Sequence, residues 1–580
     1  MGEVEDYKLP LAKTGNLVWW DYDNDGVQEA GEPGINGANV QLVFFGPNGV
    51  AGGGDDVTYT QATATMNGET GVYMFLGLVP GAYKASIVNV PAGFLPTLLN
   101  QGSDVKDADD PAGVMVMIPD PITLPSGENG NSDNPGGTNG FPDNQDDLTY
   151  DFGYIAVDYG DAPVTYGTDN AGGGPKHLVT PNLYLGSCVD GDNNGQPDPM
   201  AGLMAGGDDN NNTQSLIGVC GAGDDENGIV SFETPLIPGY PACVRVTAVN
   251  TTGSAAVLQA WIDFNGNGTF EAGEQLTSGN FAPAGATIPN GGVVNMQYCF
   301  DVPLSATFAG GQAFSRFRLS PTGGLTPIGP ALGAQYPLGE VEDYKTPLAK
   351  IGNLVWNDWD NNGQQNEAPA AGLNNVAVNL VWAGTDLAFN TPDDRTYVTT
   401  TSNMGVNGQY MFWGLIPGPY KVVLPTLPAN FIATQIGVGA DVSDSENPAG
   451  EMVMIPDPIA LPLGENSTGD VPNDVFPDPA NNITLDFGLI TRDFGDLPDT
   501  YGTTDGSPND GPVNVVNPNL KLGACQDGEM DGNPDSMAGL MTGGDDNTGG
   551  AAVDGTASTC GDDEDGIVFE SPMVPGTQAC

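Results

Sequence analysis

Residues 15–32 read G-N-L-V-W-W-D-Y-D-N-D-G-V-Q-E-A-G-E. A short apolar run, Leu17–Trp20, leads directly into Asp21, from which the spacing is D-x-D-x-D-G-x₅-E, ending at Glu32. In this spacing, alternating side chains and one backbone carbonyl can surround a calcium ion, and glycine at the sixth position permits the sharp turn. The apolar run shows no helical period, so we predict that a strand precedes the loop.

Similar short apolar runs recur along the chain, separated by clusters rich in glycine (85 residues) and proline (48 residues). Such clusters form turns, and no apolar 3.6-residue period lasts for the length of a helix. The predicted strands are Asn16–Trp19, Val40–Phe45, Tyr73–Phe75, Tyr83–Val88, Leu148–Phe152, Cys243–Val249, Ala256–Ile262, Gly292–Val302 and Phe314–Leu319. We therefore predict an all-β chain of tandem β-sandwich domains in an elongated array.

An internal repeat organises the sequence. The motif G-E-V-E-D-Y-K begins at Gly2 and again at Gly339, 337 residues later. Trp19 recurs as Trp356, and Cys243 as Cys580, at the same distance. The chain thus holds about one and three-quarter copies of one unit, which is the sequence signature of a repeat array.

Each unit divides into a short module, which carries the loop described above, and a cysteine module, which carries the cysteines. The predicted segments are 1–9 (terminal strand of a preceding cysteine module), 10–155 (first short module), 156–346 (first cysteine module), 347–490 (second short module) and 491–580 (second, truncated cysteine module). Two interpretations of segment 2–8 stay open. Either the chain is a window from a longer array, or 2–8 is donated as a strand to the truncated sheet of a neighbouring copy.

Charge is one-sided, with 74 acidic against 14 basic residues and a formal net charge of −60. A polyanion of this density repels nucleic acid and anionic membrane surfaces, so neither is an expected partner. No stretch reaches 18 apolar residues, so we expect no membrane span. Since 39% of the residues are hydrophobic, we expect folded cores with the acidic residues on the loops around them, where cations would bind.

Calcium is the expected cofactor, at several sites per repeat unit. The first loop supplies the candidate ligands Asp21, Asp23, Asp25, Val27 and Glu32. A second full match to the spacing lies in the first cysteine module and supplies Asp263, Asn265, Asn267, Thr269 and Glu274. The repeat of the first loop keeps Asp358, Asp360, Asn362 and Gln364 but has Pro369 at position 12. We expect a weaker site there, with Glu367 as a possible substitute for the missing ligand.

Further acidic turns could be metal sites or merely solvated turns, and the sequence favours neither. The candidate ligands among them are Asp190, Asp192, Asn194 and Asp198, repeated as Asp527, Glu529, Asp531 and Asp535. Two other acidic groups recur in both copies: Asp224, Asp225 and Glu226 with Asp562, Asp563 and Glu564, and Asp104, Asp107 and Asp109 with Asp441, Asp444 and Glu446.

All seven cysteines lie in the cysteine modules. Four cysteines allow three pairings. We favour Cys188–Cys220 and Cys243–Cys299, because Cys525–Cys560 can then close within the truncated copy. Buried free thiols are the alternative, and the absence of C-x-x-C gives zinc or redox chemistry little support. Disulfides would place the protein outside the cytosol.

The motifs carry two family resemblances. The short module, with G-N-L-V-W-W-D-Y-D-N-D-G (15–26), G-V-Y-M-F-L-G-L-V-P-G-A-Y (71–83) and D-F-G-Y (151–154), resembles the SdrD B-like, Cna B-type repeat domain. The cysteine module, with W-I-D-F-N-G-N-G (261–268), R-F-R-L-S (316–320) and G-E-V-E-D-Y (339–344), resembles the GEVED domain of secreted bacterial proteins. The first resemblance implies calcium-binding β-sandwiches in the stalks of bacterial surface adhesins. Both imply an extracellular location at the bacterial cell surface.

The expected function is a structural segment of a calcium-stabilised surface filament, sheath or adhesin stalk, whose partners are neighbouring copies of the repeat. The alternative is an adhesive module that binds a glycan or protein through aromatic residues such as Trp20, Trp382 and Trp413, although these could equally pack within a sandwich or at a domain junction. An enzyme is not expected, because the single histidine, His177, reads as a surface loop residue without a counterpart in the second copy. A Lys–Asn isopeptide from Lys13 or Lys350 lacks a clear asparagine in the last predicted strand.

Overall fold

The computed structural model describes most of both short modules and most of the first cysteine module. The described residues are 3–6, 11–91, 93–102, 106–118, 146–147, 149–160, 162–168, 173–189, 191, 215–220, 227–283, 285–329, 336–368, 371–440, 443–456, 484–495, 512–523, 526, 528, 567, 570 and 571–579. These residues form strands and three short 3₁₀ helices, Val164–Tyr166, Ala272–Glu274 and Gly279–Phe281. Within this part of the chain, no helix has the length and apolar character needed to cross a membrane.

The chain forms two compact units. Unit 1 comprises Met1–Glu233, Cys243–Asp301 and Ala313–Thr346, and unit 2 comprises Thr234–Ala242, Val302–Gln312 and Pro347–Cys580. The predicted module boundaries stay a prediction. Three of the strands given below run continuously across them.

The first short module is a sandwich of two sheets. Its strands are β1 (Ala12–Trp20), β2 (Asn39–Phe44), β3 (Val57–Ala62), β4 (Ala64–Met66), β5 (Glu69–Leu78), β6 (Gly81–Asn89), β7 (Phe94–Pro96), β8 (Val114–Ile118), β9 (Asp146–Asp147) and β10 (Phe152–Tyr159). One sheet has the order β10-β1-β5-β4, and the other has the order β3-β2-β6-β8. Buried side chains from both sheets, such as Val18, Leu42 and Phe152, form one core.

Strand β10 lies later in the sequence than predicted. The expected strand Leu148–Phe152 was wrong in its placement, since the strand begins at Phe152 and ends at Tyr159, crossing the predicted boundary at 155/156. Every residue of β10 is buried, because β10 runs parallel to β1 at the centre of the sheet. A strand covered on both faces reads as a continuous apolar run, which conceals its ends.

The first cysteine module contains two further sheets. Its strands are β11 (Lys176–Leu178), β12 (Leu183–Leu185), β13 (Ile229–Phe232), β14 (Pro241–Asn250), β15 (Ala256–Ile262), β16 (Ala286–Ile288), β17 (Gly292–Asp301), β18 (Gln312–Ser320) and β19 (Glu340–Pro347). Strand β11 pairs with β10 at the edge of the sheet that contains β1. The new sheets have the orders β12-β14-β13, with β17 also beside β14, and β16-β15-β18-β19.

The repeated acidic motif forms strand β19, and its acidic side chains are buried. Glu340, Glu342 and Asp343 are at most 1% exposed. The Glu342 carboxylate accepts hydrogen bonds from the backbone N–H of Asn227 (3.1 Å) and Gly228 (2.8 Å). The expectation that acidic residues sit on loops around the cores was therefore wrong for this motif. Amide donors compensate the desolvation of a carboxylate and allow its burial.

Two arginines on β18 lie beside this motif. Arg316 forms a bidentate ion pair with Asp343, with Nε···Oδ1 at 2.7 Å and Nη2···Oδ2 at 2.6 Å. Arg318 Nε donates to Nε2 of His177 at 3.0 Å. His177 is fully buried, and burial together with the Arg318 charge lowers its pKa well below the usual value. The prediction of a surface histidine was wrong, because the guanidinium supplies the partner that lets a neutral imidazole be buried.

The second short module repeats the first. Its strands are β20 (Ala349–Asn357), β21 (Ala377–Trp382), β22 (Arg395–Thr400), β23 (Gln409–Leu415), β24 (Gly418–Val423), β25 (Phe431–Ala433), β26 (Glu451–Ile455) and β27 (Phe487–Phe494), and β28 (Val513–Val515) pairs with β27. The central register is also repeated, since Val18 lies opposite Phe152 and Val355 lies opposite Phe487. Equivalent positions in the two modules can therefore be compared directly.

The structure contains the two favoured disulfides, Cys188–Cys220 and Cys243–Cys299. Cys525, Cys560 and Cys580 lie outside the described residues. Of segment 2–8, the structure describes residues 3–6, which are exposed and outside any strand.

Candidate calcium loops

The first candidate loop begins where β1 ends. The backbone N–H of Asp21 donates to the carbonyl of Tyr154 on β10 at 2.8 Å, which anchors the start of the loop to the sheet. The Asp21 side chain is fully buried. Its carboxylate accepts hydrogen bonds from the N–H groups of Asn24 (2.7 Å) and Gly26 (2.8 Å), and from the Thr97 hydroxyl. Asp21 thus forms the floor around which the loop closes.

The other acidic side chains of the loop converge on Asp21. One carboxylate oxygen from each of Asp21, Asp23 and Asp25 lies within 4.8 Å of the others. The chain turns at Asn24 and Gly26, which both have positive φ (57° and 75°). A Cβ at Gly26 would lie only 2.3 Å from the carbonyl oxygen of Leu98. Only glycine fits this position, as the spacing predicts.

Glu32 closes the loop from its far end. Its carboxylate accepts hydrogen bonds from the N–H of Tyr22 (2.8 Å) and of Glu29 (2.9 Å), at the second and ninth positions of the loop. Burial raises the pKa of Glu32 to about 7, and repulsion from Asp21 and Asp23 contributes to the shift. Burial and the charges of Asp25 and Asp21 also raise the pKa of Asp23. A bound cation would relieve this crowding of negative charge.

The second loop repeats this geometry on the different sandwich of the cysteine module. Asp263 follows β15 and is 1% exposed. It accepts hydrogen bonds from the N–H of Gly266 (2.7 Å) and Gly268 (2.9 Å), and from the Tyr166 hydroxyl (2.7 Å). Tyr166 therefore takes the place that Thr97 has in the first loop. The loop is built in the same way, with the hydroxyl supplied by a 3₁₀ helix, Val164–Tyr166, instead of by the residue after β7.

Glu274 corresponds to Glu32. Its carboxylate accepts hydrogen bonds from the N–H of Phe264 and of Glu271, each at 3.0 Å, again at the second and ninth positions. Burial, with repulsion from Asp263, raises the pKa of Glu274 to about 7. The Asn267 side-chain oxygen accepts hydrogen bonds from the Thr269 N–H (3.0 Å) and hydroxyl (2.8 Å) on the outer side of the loop. Asn265, also on the outer side, accepts a hydrogen bond from the Asn267 N–H at 2.9 Å.

The third loop, in the second short module, keeps the buried first aspartate but differs in the residue that supplies its last carboxylate. Asp358 is buried and accepts hydrogen bonds from the Gly363 N–H at 2.8 Å and from the Thr434 hydroxyl. Carboxylate oxygens of Asp358, Asp360 and Glu367 lie within 4.8 Å of one another. Pro369 lies outside the described residues, but Glu367 reaches the cluster from two positions earlier.

The remaining predicted ligands lie at the exposed side of the loops or outside the described residues. Asn362 accepts a hydrogen bond from the Gln364 N–H at 2.7 Å, on the exposed side of the third loop. The N–H of Val27 donates to Asp25 Oδ1 at 2.7 Å, and Val27 forms a backbone bridge with Asp107. The following candidates lie outside the described residues: Asp190, Asp192, Asn194, Asp198, Asp527, Glu529, Asp531, Asp535, Asp104, Asp441, Asp224, Asp225, Glu226, Asp562, Asp563 and Glu564.

Several residues of the site could not be found from the loop spacing. Thr97, Tyr166 and Thr434 reach the floor aspartates from segments 76 or 97 residues away in sequence. Asp151 and Asp486, at the start of the last strand of each short module, are also fully buried. The N–H of Asp151 donates to Asp109 (3.0 Å), and that of Asp486 donates to Glu446 (2.5 Å). The recurrence of D-F-G in both copies was the available signal.

Family models match most of the described modules. The model described as the SdrD B-like domain matches residues 12–136 and 349–468, and the GEVED domain model matches residues 257–347. The chain contains SdrD B-like and GEVED domains. The SdrD B-like matches thus lie in the first and second short modules, and the GEVED match begins within the first cysteine module and continues through strand β19.

Sequence relatives match part of the chain. Serine-aspartate repeat-containing protein C of Staphylococcus aureus (strain N315) is 34% identical over 130 residues, which is 22% of this chain and 12% of that protein. Serine-aspartate repeat-containing protein E of strain USA300 is 34% identical over 123 residues, 21% of this chain and 9% of that protein. The chain therefore spans only a small part of these relatives.

Solved structures of pilins also align with the chain. The full-length major pilin SpaD from Corynebacterium diphtheriae has a TM-score of 0.28 and 8% identity, over 78% of this chain and 92% of the pilin. BcpA, the major pilin subunit of Bacillus cereus, has a TM-score of 0.25 and 10% identity, over 77% and 96%.

Calcium affinity is expected to rise with pH through neutrality. The pKa of Glu32, Glu274 and Glu367 is raised from 4.5 to about 7 in the metal-free fold. Between these values the metal-free folded state holds protons that the unfolded chain does not hold, so metal-free stability falls as pH rises through 7. A calcium ion bound in these loops would have to displace these protons. Isothermal titration should show weaker binding at pH 6 than at pH 8, with proton release to the buffer near pH 7. Equal affinity at both pH values would contradict this.

Proposed function

We propose that this chain is a structural segment of an extracellular bacterial surface filament, sheath or adhesin stalk, and that calcium bound in several loops per repeat stabilises its domains. The observation that carries the proposal is the shared geometry of the loops at Asp21 and Asp263. Two different sandwiches hold the same arrangement of a buried first aspartate and a back-folded last glutamate. A merely solvated acidic turn has no need of either feature.

The donor set supports calcium in particular. Carboxylates, amide oxygens, a hydroxyl and a backbone carbonyl are hard ligands, and a flexible loop of six or seven such oxygens suits calcium better than the smaller magnesium ion. Asp21, Asp23, Asp25, Val27 and Glu32 would hold the ion in the first loop, and Asp263, Asn265, Asn267, Thr269 and Glu274 in the second. The ion would supply positive charge to a chain of net charge −60.

The domain composition supports the structural role and the surface location. Tandem domains in which each unit contacts mainly its neighbours suit a spacer, and disulfides suit an oxidising environment. A non-enzymatic role is part of this proposal. Neighbouring copies of the repeat would be the partners, and strand donation through 2–8 stays a prediction.

The aromatic residues give adhesion little support. Trp20 is 6% exposed and Trp382 is 3% exposed, so both belong to sandwich cores. Trp413 is half-buried, and its indole N–H donates to the carbonyl of Ala306 at 3.1 Å. No exposed tryptophan platform for a glycan is formed by these three residues, and we propose no adhesive function.

Calcium binding by loop variants tests the proposal. Glu32→Gln and Glu274→Gln keep an oxygen that can accept the backbone hydrogen bonds but remove the charge. Each variant is expected to weaken one calcium site at least tenfold, about 1.4 kcal/mol, in isothermal titration. Glu69→Gln, on β5 and outside the loops, is the matched control and should leave every site unchanged. Unaltered binding in both loop variants would refute the assignment of the sites.

A further inference from the structure

The Cys188–Cys220 disulfide lies where the first cysteine module meets the first short module, within unit 1. Its two cysteines are 32 residues apart in sequence. Beside them, Val189 and Ile217 form an isolated backbone bridge, in which each N–H donates to the other residue's carbonyl at 3.0 Å. We call Cys188, Val189, Gly191 and residues 215–220 the clip.

The apolar side chains of the clip belong to the core of the short module. Val189 is 0% exposed and is part of the same buried cluster as Val18 and Trp20. Leu216 and Ile217 are partly buried and pack against this cluster. The core of the short module therefore includes side chains that the cysteine module supplies.

The backbones of the two modules also touch at the clip. A Cβ at Gly93, the residue before β7, would lie 2.8 Å from the carbonyl oxygen of Gly191. A Cβ at Gly191 would lie 2.6 Å from Cδ1 of Leu216. Strand β7 pairs in turn with β10, the central strand of the short module. The clip is thus packed, through β7, against the sheet that contains both β1 and β10.

The same approach recurs in the second copy, within unit 2. Asn430 and Gly528 stand 337 residues after Gly93 and Gly191. The Asn430 side-chain amide donates to the carbonyl of Gly528. A side-chain hydrogen bond thus takes the place of the contact between two glycines, so the closeness of these segments does not depend on one particular pair of residues.

The bridge of the clip is too short to order a segment of this length by itself. A single pair of backbone hydrogen bonds does little against the conformational entropy of the chain between the cysteines. A disulfide removes part of that entropy from the open state. We propose that the Cys188–Cys220 disulfide holds the clip on the core of the first short module, so that this module and the cysteine module open and close together. This inference goes beyond the proposed function, and it does not depend on calcium.

Hydrogen exchange of the full chain, measured by mass spectrometry in saturating calcium under non-reducing conditions, tests the proposal. Exchange reports local opening, segment by segment. In Cys188→Ser/Cys220→Ser, residues 94–97 of the short module are expected to exchange at least tenfold faster. Strand β2, in the other sheet of the same module, should exchange as in the wild-type chain. Acceleration confined to the clip, or equal acceleration in β2 and residues 94–97, would overturn the proposal.

Cys243→Ser/Cys299→Ser is the matched control. This second disulfide joins β14 to β17 within the cysteine module. Its removal should speed exchange in those strands and leave residues 94–97 unchanged. If both double variants accelerated residues 94–97 to the same extent, the particular role of the Cys188–Cys220 bond would be refuted.

A reciprocal experiment keeps both disulfides. Gly93→Ala places a Cβ against Gly191 and should speed exchange in residues 215–220 at least fivefold, although the substitution lies in the other module. Gly68→Ala is its control, because Gly68 has nearly the same φ as Gly93 (91° and 89°) but no atom within 4 Å of an added Cβ. Equal exchange of residues 215–220 in the two alanine variants would contradict the proposal. Calcium titration of the same samples separates the outcomes, since unchanged exchange with retained calcium binding refutes only this inference.

Discussion

Replacing Arg316 by alanine is expected to lower the free energy of unfolding of the GEVED domain by about 3–5 kcal/mol, the usual cost of removing one partner of a buried ion pair. The Arg316 and Asp343 side chains are 0% and 1% exposed. Without the guanidinium, the Asp343 carboxylate would stay buried with its charge uncompensated. Arg316 Nη1 also donates to the carbonyls of Tyr166 (3.3 Å) and Pro327 (2.7 Å), which would lose this donor. Urea unfolding in saturating calcium measures the change.

Arg245→Ala is the matched control. Arg245 pairs with Glu233 in the same cysteine module, but its side chain is 36% exposed. A pair in contact with solvent contributes about 0–1 kcal/mol, so this variant should unfold close to wild type. Equal losses of unfolding free energy in the two variants would contradict the expectation that the buried Arg316–Asp343 pair contributes more to stability than the exposed one.

The repeat and the strand pattern were sufficient to predict the class of fold, and the loop spacing was sufficient to predict where the acidic loops begin. Asp21, Gly26 and Glu32 have the positions that the motif requires, because they contact one another or the backbone within the same twelve-residue loop. The partners of the floor aspartates are not local. Thr97 and Tyr166 come from segments that only the folded sandwich brings near, and neither has a fixed spacing to its aspartate.

The burial of charged side chains was the feature that could not be predicted from the sequence. Acidic residues in a chain of this composition were expected on loops, yet Glu342 and Asp343 lie inside the GEVED domain. Their burial depends on backbone donors at Asn227 and Gly228 and on Arg316, all more than 25 residues away in sequence. His177 was misplaced for the same reason, since its partner Arg318 is distant in the chain. Composition reports how many charges a chain has, but not which of them find partners.

Calcium removal is expected to have the other large effect. An ion that binds the folded loop and not the unfolded chain stabilises by about 2.7 kcal/mol at a concentration one hundred times its dissociation constant. In a domain of about 190 residues, such a loss lowers the melting temperature by roughly 5–10 °C. The effect should be larger where one cooperative unit contains two loops. Magnesium should restore little of the lost stability. It requires a compact octahedral shell with short metal–oxygen distances, whereas a flexible loop of many oxygen ligands suits the larger calcium ion.

The loop variants provide the internal control for this effect. In saturating calcium, the double variant Glu32→Gln/Glu274→Gln should melt close to chelated wild type in unit 1, which contains both loops. Glu69→Gln should melt like calcium-loaded wild type. Agreement between the double variant and the chelated chain would assign the stabilisation to these two loops.

Thermal unfolding of the full chain under non-reducing conditions, once in saturating calcium and once in excess chelator, tests directly whether calcium stabilises these domains. We expect a melting temperature lower by at least several degrees in chelator, and its recovery when calcium is returned. An unchanged melting temperature would mean that the loops are solvated acidic turns, and the calcium-stabilised stalk would be contradicted.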